Sequence, residues 1–177
     1  MIHRFCGKAV DKVEKSAHNK WISWERKSSM IVHNEREALS VAVEMERRAI
    51  GIYERALLLA EDPSVRGGIE AILQQEREHL GRFLEMRGQF PALPGEEKAL
   101  LQALSAEALF PGGVMEMERA EGLTTLTGLY RFAARSEEHA VETYLAFAEK
   151  CRDSQVAGAF RAIAAEEGLH LAQLQEK

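Results

Sequence analysis

Glutamate and histidine side chains recur in this chain at a spacing that suits a buried site for two metal ions. Each of two copies has a glutamate, a tyrosine seven positions later, and a Glu-x-x-His motif whose glutamate follows the first by 30 positions. The copies are offset by 91 positions and consist of Glu46, Tyr53, Glu76 and His79, and of Glu137, Tyr144, Glu167 and His170. Carboxylates and Glu-x-x-His motifs on facing helices are the ligands of di-iron and di-manganese sites in helical bundles.

The four glutamates lie within apolar helical stripes, and this position predicts that they are buried. Glu46 lies between Ala42 and Ala49, and Glu76 lies between Ile72 and Leu80. Four converging buried carboxylates repel one another unless cations neutralise them, and two divalent ions supply the matching charge. We therefore predict that two ions are bound, either iron or manganese, with one histidine per ion and bridging motif glutamates. The predicted ligands are Glu46, Glu76, His79, Glu137, Glu167 and His170.

The two tyrosines follow their glutamates by two helical turns on the same face. The hydroxyl groups of Tyr53 and Tyr144 are expected to bond a ligand carboxylate or a bound oxygen species. For each tyrosine taken alone, a buried hydroxyl that meets a convenient acceptor explains the pattern equally well. Three other residues, Glu138, His139 and Glu142, surround Glu137 without counterparts in the first copy, and they are not predicted as ligands.

Two helical hairpins must position these side chains. Asn34 and Glu37 form a capping-box pattern that begins a helix extending to about Glu61. Asp62 and Pro63 end this helix and begin a second one, which extends to about Gly88. The third helix is predicted from Thr124 to Cys151, and Asp153 caps the fourth at the position that mirrors Asp62.

The region between the hairpins, residues 89–123, is rich in proline and glycine and predicts a long crossover with a short helical stretch near residues 97–109. Positions 42–80 match those 91 residues later at twelve places, which favours a duplication. We expect an all-α protein, a four-helix bundle of two repeated hairpins over residues 34–177. Residues 1–33, with Trp21 and Trp24, are predicted as an N-terminal helical arm.

Composition excludes several classes of function. With 177 residues, 46% of them hydrophobic, the chain has the size of one domain, and its net charge of −5 argues against nucleic acid as a partner. No apolar run approaches the roughly 20 residues that span a membrane, so no stable span and a cytoplasmic location are expected. Cys6 and Cys151 form no Cys-x-x-Cys pair, which excludes a rubredoxin or zinc ribbon within this sequence.

Over about residues 36–177 the chain resembles the rubrerythrin group of the ferritin-like di-iron carboxylate superfamily. The resemblance lies in the segments 46–53, 75–79 and 165–170, which contain the Glu-x6-Tyr and Glu-x-x-His motifs. It implies a ferritin-like bundle that holds two iron ions, with manganese as a substitute, and reduces hydrogen peroxide. An external electron donor protein is expected because the rubredoxin domain of rubrerythrin has no counterpart here. A homodimer is expected because ferritin-like bundles often dimerise.

One departure from rubrerythrin keeps other reactions open. Rubrerythrin has a further glutamate three residues after the ligand of the third helix, where this chain has Ala140. Dioxygen therefore stays an alternative oxidant to peroxide. The demethoxyubiquinone hydroxylases, which use dioxygen, are similar in the first hairpin, and iron storage with ferroxidase activity is a third alternative.

Overall fold

The computed structural model describes residues 32–95, 97–99, 102 and 125–175, and within these ranges it contains helices and no strands. The four long helices are α1 (Glu35–Leu59), α2 (Pro63–Arg87), α3 (Leu126–Lys150) and α4 (Ser154–Gln175). The prediction of an all-α protein is confirmed for this part of the chain. The predicted N-terminal arm lies outside the described residues, apart from Val32 and His33. None of the described helices has the length and apolarity needed to cross a membrane.

The ends of the helices follow from local side-chain chemistry. Asn34 Oδ1 accepts a hydrogen bond from the Glu37 amide, as the capping-box pattern predicts, and α1 ends at Leu59. Asp62 accepts bonds from the amides of Ser64 and Val65, and Pro63 occupies the first turn of α2. Thr125 caps α3 through the Gly128 amide. The predicted start at Thr124 lies just outside the described residues.

Adjacent helices run antiparallel. Three residues join α1 to α2. Arg77 contacts Glu54 and Arg87 contacts Ser40, so the later residue of α2 meets the earlier residue of α1, as in an antiparallel pair. Three residues also join α3 to α4, which form the most extensive helix contact. Contacts of α1 with α3 and of α2 with α4 complete the arrangement. The second hairpin begins 91 positions after the first at both of its helices (126−35 and 154−63).

Two apolar clusters fill the interior on either side of the predicted ligands. Along α2, Ile69, Ile72 and Leu73 precede Glu76, and Phe83 follows His79. Phe83 also packs against Tyr144 and Phe160, with ring centroids 5.2 Å apart in both pairs. The α1 stripe predicted from the sequence is buried throughout, whereas Leu80 of the α2 stripe is only half-buried.

Part of the predicted crossover is described. Residues 95, 97–99 and 102 are helical, and the remainder of residues 96–124 lies outside the described ranges. Glu97 accepts a hydrogen bond of 2.7 Å from Arg36, so this segment is held against the start of α1.

Candidate metal centre

The six predicted ligands converge in the interior between the helices. Each is at most 2% exposed, so the predicted burial of the four glutamates is confirmed. Among the described residues, they form two groups whose ligand atoms lie within 4.8 Å of one another. One group is Glu46, Glu76, His79 and Glu167, and the other is Glu76, Glu137, Glu167 and His170. Glu76 and Glu167 belong to both groups, which is the arrangement that two bridging carboxylates require.

Every helix contributes to the centre. The hairpin helices α1 and α3 each supply one glutamate, and α2 and α4 each supply a Glu-x-x-His pair. In a helix, residues three positions apart lie on one face about one turn apart, so the glutamate and the histidine of each motif point the same way. The rings of His79 and His170 stack at 5.7 Å across the boundary between α2 and α4. Antiparallel packing thus places two similar ligand sets side by side.

Both predicted tyrosines bond a ligand carboxylate, and each bonds the one from the other hairpin. Tyr144 Oη donates to Glu46 Oε1 at 2.5 Å, and Tyr53 Oη donates to Glu137 Oε1. Burial is the main cause that raises the pKa of both tyrosines well above the ordinary value, and neighbouring carboxylates reinforce it. The two hydroxyl groups therefore stay protonated and donate to the carboxylates of Glu137 and Glu46.

The two histidines present Nδ1 to the carboxylates and Nε2 to polar partners on the outer side. Nε2 of His79 lies 2.9 Å from Glu166 Oε2, and Nε2 of His170 lies 3.0 Å from Gln75 Oε1. An amide oxygen can only accept, so Gln75 requires a hydrogen on Nε2 and leaves Nδ1 of His170 for a metal ion when the ring is neutral. Neither partner was predicted from the sequence, although each directly precedes a motif glutamate and so lies beside it on the helix.

The partner of His79 is itself held by a cation. Arg82 donates two hydrogen bonds, of 3.0 and 2.5 Å, to the carboxylate of Glu166. Gln75 has no formal charge to pair and is exposed. The two ligand groups therefore differ in their outer contacts although their inner residues match.

Without cations, the cluster is balanced by protons. Burial, followed by repulsion from Glu167 and Glu76, raises the pKa of both Glu46 and Glu137 well above the usual value. Burial also raises the pKa of Glu167, but hydrogen bonds from His170 and His79 outweigh it and bring the value to about 2. For His170, burial lowers the pKa, and the adjacent carboxylates of Glu167 and Glu76 overcome this and raise it to about 9.

Protons nevertheless leave part of the cluster unsatisfied. Nδ1 of His170 lies 2.9 Å from both Glu167 Oε2 and Glu76 Oε1, and one nitrogen can donate only one hydrogen. Glu76 Oε1 and Glu46 Oε2 are buried without a hydrogen-bond partner, which is costly for a carboxylate oxygen. Four carboxylates and two imidazoles, with two orphaned oxygens among them, fit a pair of divalent cations.

A small cavity reaches the carboxylates from the side of α1 and α3, away from the histidines. It has a volume of about 10 Å³, near the lower limit for one water molecule. Ala49 and Ala140 contribute short side chains to its wall, and Met45 and Ser136 also line it. A larger surface cleft of about 320 Å³, near Arg87 and Lys98, shares none of its lining residues with this cavity.

The three polar neighbours of Glu137 that are not predicted as ligands lie outside both ligand groups. Nδ1 of His139 lies 3.7 Å from Oε2 of Glu142 on a partly exposed face of α3. Glu138 likewise belongs to neither group.

Comparison with known proteins returns no match, whether with protein-family models, with curated proteins or with solved structures.

Proposed function

We propose that this chain is a dimetal carboxylate oxidoreductase that reduces hydrogen peroxide or dioxygen. The observation that carries the proposal is the pair of overlapping ligand groups that share Glu76 and Glu167. A single cation would use only one histidine, whereas the second histidine and the second terminal glutamate are equally buried. A pair of ions accounts for all six residues.

A ferritin-like bundle formed by duplication is the proposed architecture. Two observations support it. Both helices of the second hairpin begin 91 positions after the corresponding helices of the first. The contacts Tyr53–Glu137 and Tyr144–Glu46 are related by the same offset, since residues 144 and 137 lie 91 positions after residues 53 and 46. The resemblance to rubrerythrin belongs to this proposal, and so does a homodimeric assembly.

The side chains have separate tasks in the proposed reaction. Two iron ions, or manganese in one or both positions, would supply the two electrons that break the O–O bond of peroxide. Glu76 and Glu167, which belong to both ligand groups, would be shared by the two ions, while Glu46 with His79 and Glu137 with His170 would each hold one ion. Tyr53 and Tyr144 hold the terminal carboxylates by donated hydrogen bonds, which limits how far these can turn. The buried aromatic residues Phe83 and Phe160 exclude bulk water.

The size of the cavity favours a small oxidant over an organic substrate. A space of about 10 Å³ is near the lower limit for one water molecule and excludes an organic substrate, and Ala140 has a short side chain where rubrerythrin has a glutamate. Peroxide reduction to two waters takes two electrons and two protons, so an external reductant must supply the electrons. Burial raises the pKa of the Cys151 thiol to about 11, so this cysteine lacks the thiolate that redox exchange requires.

Metal analysis combined with rapid mixing tests the proposal. We expect about two iron ions per chain after anaerobic loading, and oxidation by peroxide faster than oxidation by air. His170→Ala should lose about one ion per chain and most of the rapid reaction. His139→Ala is the matched control because this partly exposed histidine of α3 belongs to neither ligand group. A wild-type chain that binds no more than trace metal would refute the proposal.

Further measurements separate the alternatives. Light scattering that finds a hollow assembly of many subunits would favour iron storage. Oxidation that is fast with dioxygen, slow with peroxide and dependent on a bound quinone would favour the hydroxylase. A small oligomer with fast peroxide reduction supports the peroxidase.

A further inference from the structure

Ser136 is a buried hydroxyl group that has no task in the fold. Its side chain is 3% exposed, and Oγ has no hydrogen-bond partner. Serine in a helix commonly bonds the carbonyl one turn earlier, and here it does not. A buried hydroxyl without a partner has lost its hydrogen bonds to water without replacement, so a ligand that bonds it would be favoured at this position.

The hydroxyl lies in the wall of the small cavity beside the metal centre. Its neighbours there are the carboxylates of the four glutamates, Tyr144, Met45, Ala49 and Ala140. Tyr144 already donates its only hydrogen to Glu46. Met45 stands at the position that mirrors Ser136 in the first hairpin (136−45 = 91), and a thioether has no hydrogen to donate. Ser136 is therefore the uncommitted donor of this cavity.

We propose that Ser136 binds the small molecule that enters this cavity, by donating a hydrogen bond from Oγ to an oxygen of peroxide or dioxygen. The inference rests on the proposed function and names a residue outside the metal ligands. It also makes the two halves of the centre inequivalent towards the oxidant, because the hydrogen-bond donor stands on the α3 side and the thioether on the α1 side. The oxidant is thereby oriented within an otherwise nearly symmetrical pocket.

Azide is a suitable probe because it binds oxidised iron centres and accepts hydrogen bonds. The experiment titrates the iron-loaded, oxidised protein with sodium azide and follows the absorption band of the iron–azide complex. We expect Ser136→Ala to weaken azide binding about three- to tenfold, the effect of one lost hydrogen bond, with unchanged iron content. Thr143→Val is the matched control: it removes another buried hydroxyl of α3 that does not line the cavity, and azide affinity should stay the same.

A measurement on the wild-type chain keeps the inference testable if the variant folds poorly. The infrared stretch of bound azide should shift between H₂O and D₂O, because Ser136 exchanges its hydrogen. Equal azide affinity in wild type and Ser136→Ala, absence of the isotope shift, or failure of the iron-loaded wild type to bind azide overturns the inference and leaves the proposed function standing. Failure of the wild type to bind iron overturns both.

Discussion

The two ligand groups differ in the residue that contacts Nε2 of each histidine. His79 is backed by the carboxylate of Glu166, which Arg82 fixes, whereas His170 is backed by the amide of Gln75. A carboxylate that accepts the Nε2 hydrogen makes the imidazole a more basic ligand than an amide does. The position of His79 should therefore hold its metal ion more tightly than the position of His170.

Exchange of the carboxylate for an amide tests this difference. Glu166→Gln keeps a hydrogen-bond acceptor but removes its charge, so we expect metal affinity at the His79 position to fall by about tenfold and the two steps of binding to become similar. Gln75→Glu is the reciprocal variant and should strengthen the weaker step. Anaerobic competition titrations with a chelating dye measure both steps. Two equal binding steps in the wild type would contradict the prediction.

At the scale of helices, the centre depends on the register that short connections impose. Three residues join each pair of hairpin helices, and an aspartate caps the helix that follows. Asp62 accepts bonds from two amides of α2, and Asp153 does the same for Gln155 and Val156 at the start of α4. Each cap fixes where its helix begins and hence which face carries the Glu-x-x-His motif 14 positions after it (76−62 and 167−153).

Loss of either cap should destabilise the protein by a similar amount. Asp62→Ala and Asp153→Ala each remove two hydrogen bonds to backbone amides, and we expect each to lower the free energy of unfolding by about 1 kcal/mol. Glu61→Ala is the control because this neighbouring carboxylate is exposed and lies before the cap. Denaturant unfolding of the metal-free variants measures the change. Since the caps contact no ligand, iron content should stay at the wild-type level, and a marked loss of iron would show that the register itself had changed.

At the scale of the whole molecule, the centre links all four helices through one charge balance. Each ligand group draws residues from both hairpins, so a bound ion would hold together segments that are far apart in sequence. In the metal-free protein, protons on the histidines and on Glu46 and Glu137 take the place of the cations. Metal binding must release these protons, which couples folding stability to both metal and pH.

Metal should therefore stabilise the fold more strongly as pH rises. The raised pKa of His170, about 9, means that its proton is bound below that pH and must leave when metal binds, so affinity falls as pH decreases. We expect excess Mn²⁺ to raise Tm by about 5–10 °C at about pH 8.5 and by clearly less at about pH 6.5. Scanning calorimetry with and without a chelator measures this. The double variant Glu76→Gln, Glu167→Gln lacks the shared carboxylates and should show no metal-dependent shift at either pH.

Spacing along the chain predicted the six residues that the structure brings together in the buried cluster. Within one helix, the period of 3.6 residues fixes which side chains share a face, so the apolar stripes around Glu46 and Glu76 already implied their burial. Local capping rules likewise located Asn34, Asp62 and Asp153, because a cap involves atoms only two or three residues apart. The metal identity and the reaction stay predictions, since ligand types shared by iron and manganese sites do not distinguish them.

Contacts between helices were decided by the tertiary structure alone. The crossed tyrosine bonds, the placement of Glu166 and Gln75 beside the histidines, and the cavity under Ser136 all depend on how one helix is shifted and rotated against another. Such a shift is set by the packing of many side chains together, and no spacing within a single helix contains it. Periodicity within each helix determines which residues face inward, and the packing of the helices determines which of them meet.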